Sequence, residues 1–184
     1  MQSSDVQPLD LGADHFALFG LERGFSIDRA RLLARYRELQ QATHPDRFVS
    51  AGDAERRWSV QAASRVNDAY TTLKAPLPRA VYLLGLAGVT IDEESDTRMD
   101  PMFLMEQMEL REALESAGGA SDPHAALDAV RAKLGALEAS ATRGFESAMA
   151  AGDTAAARTE IRQWQFVDKL GREVGEIEAR LDGA

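Results

Sequence analysis

The sequence predicts an all-α protein: an N-terminal helical hairpin followed by a C-terminal antiparallel three-helix bundle. Three observations lead there. Ala, Leu, Glu and Arg, all strong helix formers, are abundant in the chain, with Gln beside them. Runs of Val, Ile and Thr with strand character are missing. Apolar residues make up 45 % of the chain, enough for a core, and recur at helical spacing between Asp, Ser, Gly and Pro punctuation. A length of 184 residues suits one large domain or two small ones.

Residues 1–12 read as a flexible lead. A short helix is expected from Ala13 to Phe19, with Gly20 beyond its end. Ser26 and Asp28 are helix starters. Behind them Ala30, Leu33, Tyr36, Leu39, Leu32 and Gln40 trace one stripe. That helix must stop near Thr43, because a residue preceding proline is pushed out of the helical region. A polar loop follows from His44, and Asp53 is placed to cap a third helix with the stripe Trp58, Ala62, Val66, Ala69, Tyr70 and Leu73. Two amphipathic helices joined by a polar loop form a hairpin, and residues 13–75 read as one domain. Pro76 and Pro78 are expected to end it.

Residues 76–99 read as a connector, with a short helix from Arg79 to Leu86 and an acidic linker that fits a solvated connector. Asp100-Pro101 sets a cap before proline at the first helical position, and Asp122-Pro123 repeats the device. Asp153 starts the last helix. Residues 100–184 therefore read as three helices joined by short turns, up-down-up.

Composition narrows function. There is no cysteine, which excludes thiolate-held zinc, iron–sulfur ligation by this chain, a disulfide framework and a cysteine nucleophile. The longest apolar run, Val81 to Val89, falls far short of the roughly 20 residues that cross a bilayer. No secretory or transit signal is visible at the start, so a cytoplasmic protein is expected. The net charge of −9 argues against nucleic acid as a partner. All of that excess lies beyond residue 75: residues 1–75 carry 10 basic and 10 acidic side chains, and residues 76–184 carry 11 and 20. A neutral half joined to an acidic half suggests two modules with different partners.

The residues that carry chemistry lie at the hairpin tip. In His44-Pro45-Asp46 the proline stiffens the loop, Asp46 can accept backbone N–H groups in an Asx-type turn, and His44 offers an imidazole. Alone, the tripeptide is more often an ordinary turn. Its surroundings add Arg31, Arg35, Arg37 and Arg47; from Ser26 to Arg47 there are five Arg against three acids. Such a face can steer an acidic partner, or merely solvate a helix.

The stretch Tyr36-Arg37, His44-Pro45-Asp46-Arg47 and Asn67-Asp68-Ala69-Tyr70-Thr71-Thr72-Leu73 resembles a J-domain. Four further blocks narrow the resemblance to the HscB-type co-chaperones of iron–sulfur cluster assembly. They are His15-Phe16-Ala17-Leu18-Phe19-Gly20-Leu21, Pro78-Arg79-Ala80-Val81-Tyr82-Leu83-Leu84, Phe103 through Glu112, and Phe166-Val167-Asp168-Lys169-Leu170. They occur in the family's order and cover nearly the whole chain. The resemblance implies two partners: a DnaK-class chaperone of the HscA type, whose ATPase is stimulated, and the cluster scaffold of the IscU type, which is delivered to it. It implicates His44, Pro45, Asp46, Arg37 and Arg47 in chaperone binding, with Arg35 and Arg31 by proximity. It implicates Leu104, Met105, Met108 and Phe166, flanked by Glu109 and Glu112, in scaffold binding. The family often has Leu where this chain has Met108. Eukaryotic members can carry a cysteine-rich module at the N-terminus, so a cysteine-free chain resembles the bacterial type.

Leu104, Met108 and Glu112 fall a turn apart on one helix face, and methionine suits an adaptable binding surface. The same spacing also suits bundle core. Because Phe103, Leu110 and Leu114 are apolar too, the helix has more apolar surface than one core stripe needs. An enzyme is not expected. His44 and Asp46 lack a recognisable third metal ligand, and no phosphate loop or Gly-x-Ser-x-Gly is present, so no catalytic residue, metal or cofactor is assigned. A general J-protein for unfolded clients and a plain helical scaffold remain as alternatives.

Overall fold

The computed structural model describes residues 9–91 and 101–183. Every regular element is helical, and among the described residues there is no strand. The chain divides into two compact units, Met1–Leu83 and Leu84–Ala184.

The first unit opens with α1 (His15–Leu18). Asp14 caps it, accepting from the Phe16 and Ala17 amides at 2.8 and 3.0 Å, and Arg23 pairs with the same carboxylate at 2.6 Å. The helix is shorter than the expected Ala13–Phe19 because the cap lies at Asp14 and the Phe19 and Gly20 amides turn back to carbonyls three residues earlier. α2 (Arg29–Thr43) starts where Asp28 accepts from the Arg31 amide at 2.9 Å. It ends before the extended His44 that precedes proline. α3 (Asp53–Lys74) runs back alongside it. Here Gly52, not Asp53, is the cap residue, and its amide is taken by the Glu55 carboxylate at 3.1 Å.

The hairpin closes on Leu32 and Leu39 of α2 and on Ala62, Val66, Ala69 and Leu73 of α3, all buried. Tyr36 and Tyr70 stack at 3.9 Å, and the Tyr36 hydroxyl donates to Asn67 at 3.0 Å. Their pairing fixes the antiparallel register. The expected α2 stripe needs correcting: Ala30 and Gln40 are exposed, and Thr43 takes their place in the core. The Thr43 hydroxyl donates to the Leu39 carbonyl at 2.8 Å, so its burial leaves no polar atom unmatched.

α4 (Pro76–Leu86) begins three residues earlier than the expected Arg79. Pro76 and Pro78 sit in its first turn, where the amides they lack have no helical acceptor, so they start the helix instead of only ending the hairpin. α4 is tied to the hairpin by two buried groups to which sequence reasoning assigned no role. His15 stacks on Tyr82 at 4.0 Å and accepts from Arg65 at 3.0 Å; Arg65 also donates to the Ala13 carbonyl at 2.9 Å. An arginine can only donate, so the imidazole proton lies on Nδ1. Arg79 donates to the Leu73 carbonyl at the end of α3 and lies over the Phe25 ring at 4.9 Å.

The second unit is a three-helix bundle of α5 (Pro101–Ala117), α6 (Pro123–Ala151) and α7 (Thr154–Asp182). Asp122 and Asp153 cap α6 and α7 as expected, accepting from the Ala125 and Ala156 amides at 3.0 and 2.9 Å. Gly152, at φ +73°, makes the left-handed stop between the two long helices. Their antiparallel course is fixed by cross-pairs: Arg131 with Glu178, and Trp164 donating to Glu138 at 3.2 Å. Close approach is allowed by Gly144, because a Cβ there would fall 2.4 Å from the Glu160 side chain. Leu110, Leu114, Leu127, Val130, Leu134, Val167, Leu170 and Val174 make one continuous core. Asp100 and the acidic linker from Asp92 lie outside the described residues, as do residues 1–8 of the lead.

Candidate functional site

Two exposed features stand out, one in each unit. The first is the hairpin tip. Pro45–Phe48 is not an open loop but one turn of 3-10 helix. Its cap is the side chain of His44, whose Nδ1 accepts from the Asp46 amide at 3.3 Å. The local hydrogen bond thus runs opposite to the expected Asx-type turn: the imidazole organises the backbone, and among the described residues the Asp46 carboxylate accepts no backbone N–H. The Asp46 side chain is 87 % exposed, and it lies 3.7 Å from His44 Nδ1. Below the tip, Phe48 meets Trp58 edge-on at 5.8 Å, which seats the turn on α3.

The basic residues do not form one surface. At about 100° per residue, Arg37 projects roughly 160° away from Arg35 and about 120° from Arg31. Arg31 is committed locally, donating to the Gly20 carbonyl at 2.7 Å, and Arg35 pairs with Glu38 at 2.6 Å. Arg37 is exposed and, among the described residues, has no ion-pair partner. It sits one turn before Gln41, whose carbonyl accepts from Arg47 at 3.3 Å. Arg47 thus closes the end of α2 beside the tip, and Arg37 projects from a different side of the helix than Arg31 and Arg35.

The second feature is the outer face of α5. Phe103, Leu110 and Leu114 point into the bundle, while Met102, Leu104, Met105 and Met108 are 72 %, 43 %, 60 % and 72 % exposed. Leu104, Met105 and Met108 share that face with exposed Glu112, and Glu109 lies on its flank. Phe166 differs from the others. It is half-buried against the core and meets Phe103 edge-on at 5.7 Å, with the Arg111 guanidinium 5.8 Å from its ring. It serves as a wall of the bundle as well as part of the surface. Among the described residues no group of His, Asp and Glu is arranged to hold a metal ion, and no described helix is long and apolar enough to cross a membrane.

A helical hairpin with an exposed His-Pro-Asp tip, carried in one chain with a helical bundle, is the build of a J-type co-chaperone. The model of the HscB C-terminal oligomerisation domain matches residues 99–175. The chain is 44 % identical over 170 residues to the co-chaperone protein HscB homologue of Vibrio cholerae, covering 92 % of this chain and 99 % of that one. It is 43 % identical over 174 residues to the homologue of Burkholderia multivorans, covering 95 % and 99 %. Among solved structures it is similar to the chaperone HscB from Vibrio cholerae, with a TM-score of 0.82 at 43 % identity over 92 % of this chain and 99 % of that one. Human co-chaperone HscB gives a TM-score of 0.83 at 31 % identity over 97 % and 86 %. The chain belongs to the HscB family of co-chaperones.

Proposed function

We propose that this protein stimulates the ATPase of a DnaK-class chaperone of the HscA type and delivers to it an iron–sulfur cluster scaffold of the IscU type. The work is divided between the hairpin domain, residues 13–75, and the bundle, residues 100–184. The tip, with His44, Pro45, Asp46, Arg37 and Arg47, engages the chaperone. Leu104, Met105 and Met108, flanked by Glu109, Glu112 and Phe166, hold the scaffold. Engaging both at once raises the local concentration of scaffold at the chaperone, and hydrolysis then traps it and promotes cluster transfer. The cytoplasm is the compartment this role requires in a bacterial-type member.

The observation that carries this reading is the exposed apolar strip on α5. A helix whose core side is already filled by Phe103, Leu110 and Leu114 has no structural use for large apolar side chains on its far face, and contiguous exposed apolar surface marks a binding site. Steady-state ATP hydrolysis by the chaperone, with scaffold, with this protein and with both, tests it. Synergy between the two that disappears in His44→Gln is expected. Stimulation that ignores the scaffold would leave a general J-protein, and no stimulation would sink the reading.

A further inference from the structure

Beside the exposed strip the bundle holds a groove of 430 Å³ between the start of α5 and the middles of α6 and α7. Met105 of α5, Leu137 of α6 and Val167 of α7 give it an apolar stretch of wall, and Ser140 of α6 and Gln163 of α7 add polar lining beside them. Glu106 and Glu109 line it on the α5 side. Both carboxylates are exposed, and among the described residues neither has an ion-pair partner. We infer that this groove receives a lysine or arginine side chain of the scaffold, extending recognition from the outer face of α5 onto α6. This rests on the reading of α5 as the scaffold-binding helix.

The chemistry selects the occupant. A long basic side chain lays an apolar stem along apolar walls and keeps its charged head at the carboxylates. An acidic side chain would meet two like charges. A purely apolar one would bring the carboxylates toward a dry contact without pairing them, which is unfavourable. The groove is continuous with the strip, because Met105 belongs to both and Glu109, on the strip's flank, lines the groove. A partner covering the strip therefore reaches the groove without a second docking event. The same pairing adds steering: the half of the chain that holds the groove carries the whole negative excess. Ser140 and Glu106, neither of them on the strip, become specificity determinants.

Titration of the IscU-type scaffold against wild type, Glu106→Gln, Ser140→Trp and Leu104→Ala, each at two salt concentrations, tests the inference. Both groove positions are exposed on helices, and matching helical circular dichroism and thermal midpoints confirm that the variants fold. Glu106→Gln is expected to bind about threefold more weakly and with a shallower salt dependence, as loss of one rim charge does. Ser140→Trp fills the groove and is expected to weaken binding about tenfold with the salt dependence unchanged. Wild-type-like binding by both groove variants, with Leu104→Ala weakened, overturns the groove and leaves the strip standing. Absence of binding by wild type overturns the scaffold reading and the groove together.

Discussion

The two units solve the problem of presenting a surface in opposite ways. In the hairpin unit the candidate element is polar and small. One turn of 3-10 helix is capped by its own histidine and seated by a Phe48–Trp58 contact, and two polar joints of the unit, His15 and Arg79, are buried elsewhere in it. In the bundle unit the core is apolar and continuous, and the candidate element is surplus apolar surface on the outside of a core helix. On the proposed function the tip would act through a few directional groups, so single polar changes should be decisive there. The strip would act through area, so its residues should contribute in increments.

The largest expected effect tests the first half of that contrast. His44→Gln removes the imidazole from the tip, and Asp46→Asn removes its exposed charge. Either should abolish stimulation of chaperone ATP hydrolysis while scaffold binding, measured by calorimetry, is retained. A variant that merely halves stimulation would show that the tip works by area as well. On the bundle side, Leu104→Ala, Met105→Ala and Met108→Ala combined should weaken scaffold binding tenfold or more, by roughly 1.4 kcal/mol per factor of ten. The thermal midpoint should stay put, because all three are exposed. A drop in midpoint would make the strip part of the core. Phe166→Ala should differ in kind: it removes a ring packed on Phe103, so binding and stability fall together, the latter by about 1–3 kcal/mol.

Smaller effects sharpen the contrast within the hairpin. Arg37→Ala should lower the chaperone's apparent affinity several-fold in a salt-dependent manner, as exposed steering charges do. Arg35→Ala, already paired with Glu38, should change it little. The smallest effects are in pH dependence, where the units should move oppositely. Burial first, and then the neighbouring Arg65, lowers the His15 pKa against weaker pulls from Asp14 and Asp68. The neutral imidazole thus favours the folded state fully above about pH 6.5. That contribution is lost as pH falls toward the lowered value, since the unfolded chain then binds the extra proton. Glu160 is raised by burial beside Gly144. Its contribution is present below the ordinary carboxylate value and lost as pH rises through the raised one. Unfolding midpoints followed across pH should therefore flatten at the acid side in His15→Gln and rise at neutral pH in Glu160→Gln.

Helix boundaries set by capping chemistry were legible from residues alone. Asp28, Asp122 and Asp153 each cap the helix expected of them, because a side-chain oxygen one position before a helix is a local signal. Where two neighbours compete for the same job, locality fails: Glu55 reaching back to Gly52 displaced Asp53 from its expected role. Proline carried two meanings at Pro76 and Pro78, and only packing of α4 on the hairpin decided between stop and start. The candidate site was legible as residues but not as surfaces. The split of Arg31 and Arg35 from Arg37 follows from helical angle, a signal that was present in the spacing. The groove beside α5 depends on segments distant in sequence, which no local pattern encodes. The same holds for His15, Arg65, Tyr82 and Arg79, whose contacts span up to 67 positions.

The central claim is that one chain carries the tip and the strip together so that it can bridge two partners. The most direct test mixes two defective proteins, His44→Gln and the Leu104→Ala, Met105→Ala, Met108→Ala variant, in the chaperone ATPase assay with scaffold. Each alone should lack the synergy, and the mixture should lack it too, because neither molecule can hold scaffold and chaperone at once. Recovery of wild-type synergy by the mixture would contradict the account, since it would show that the two units need not be joined.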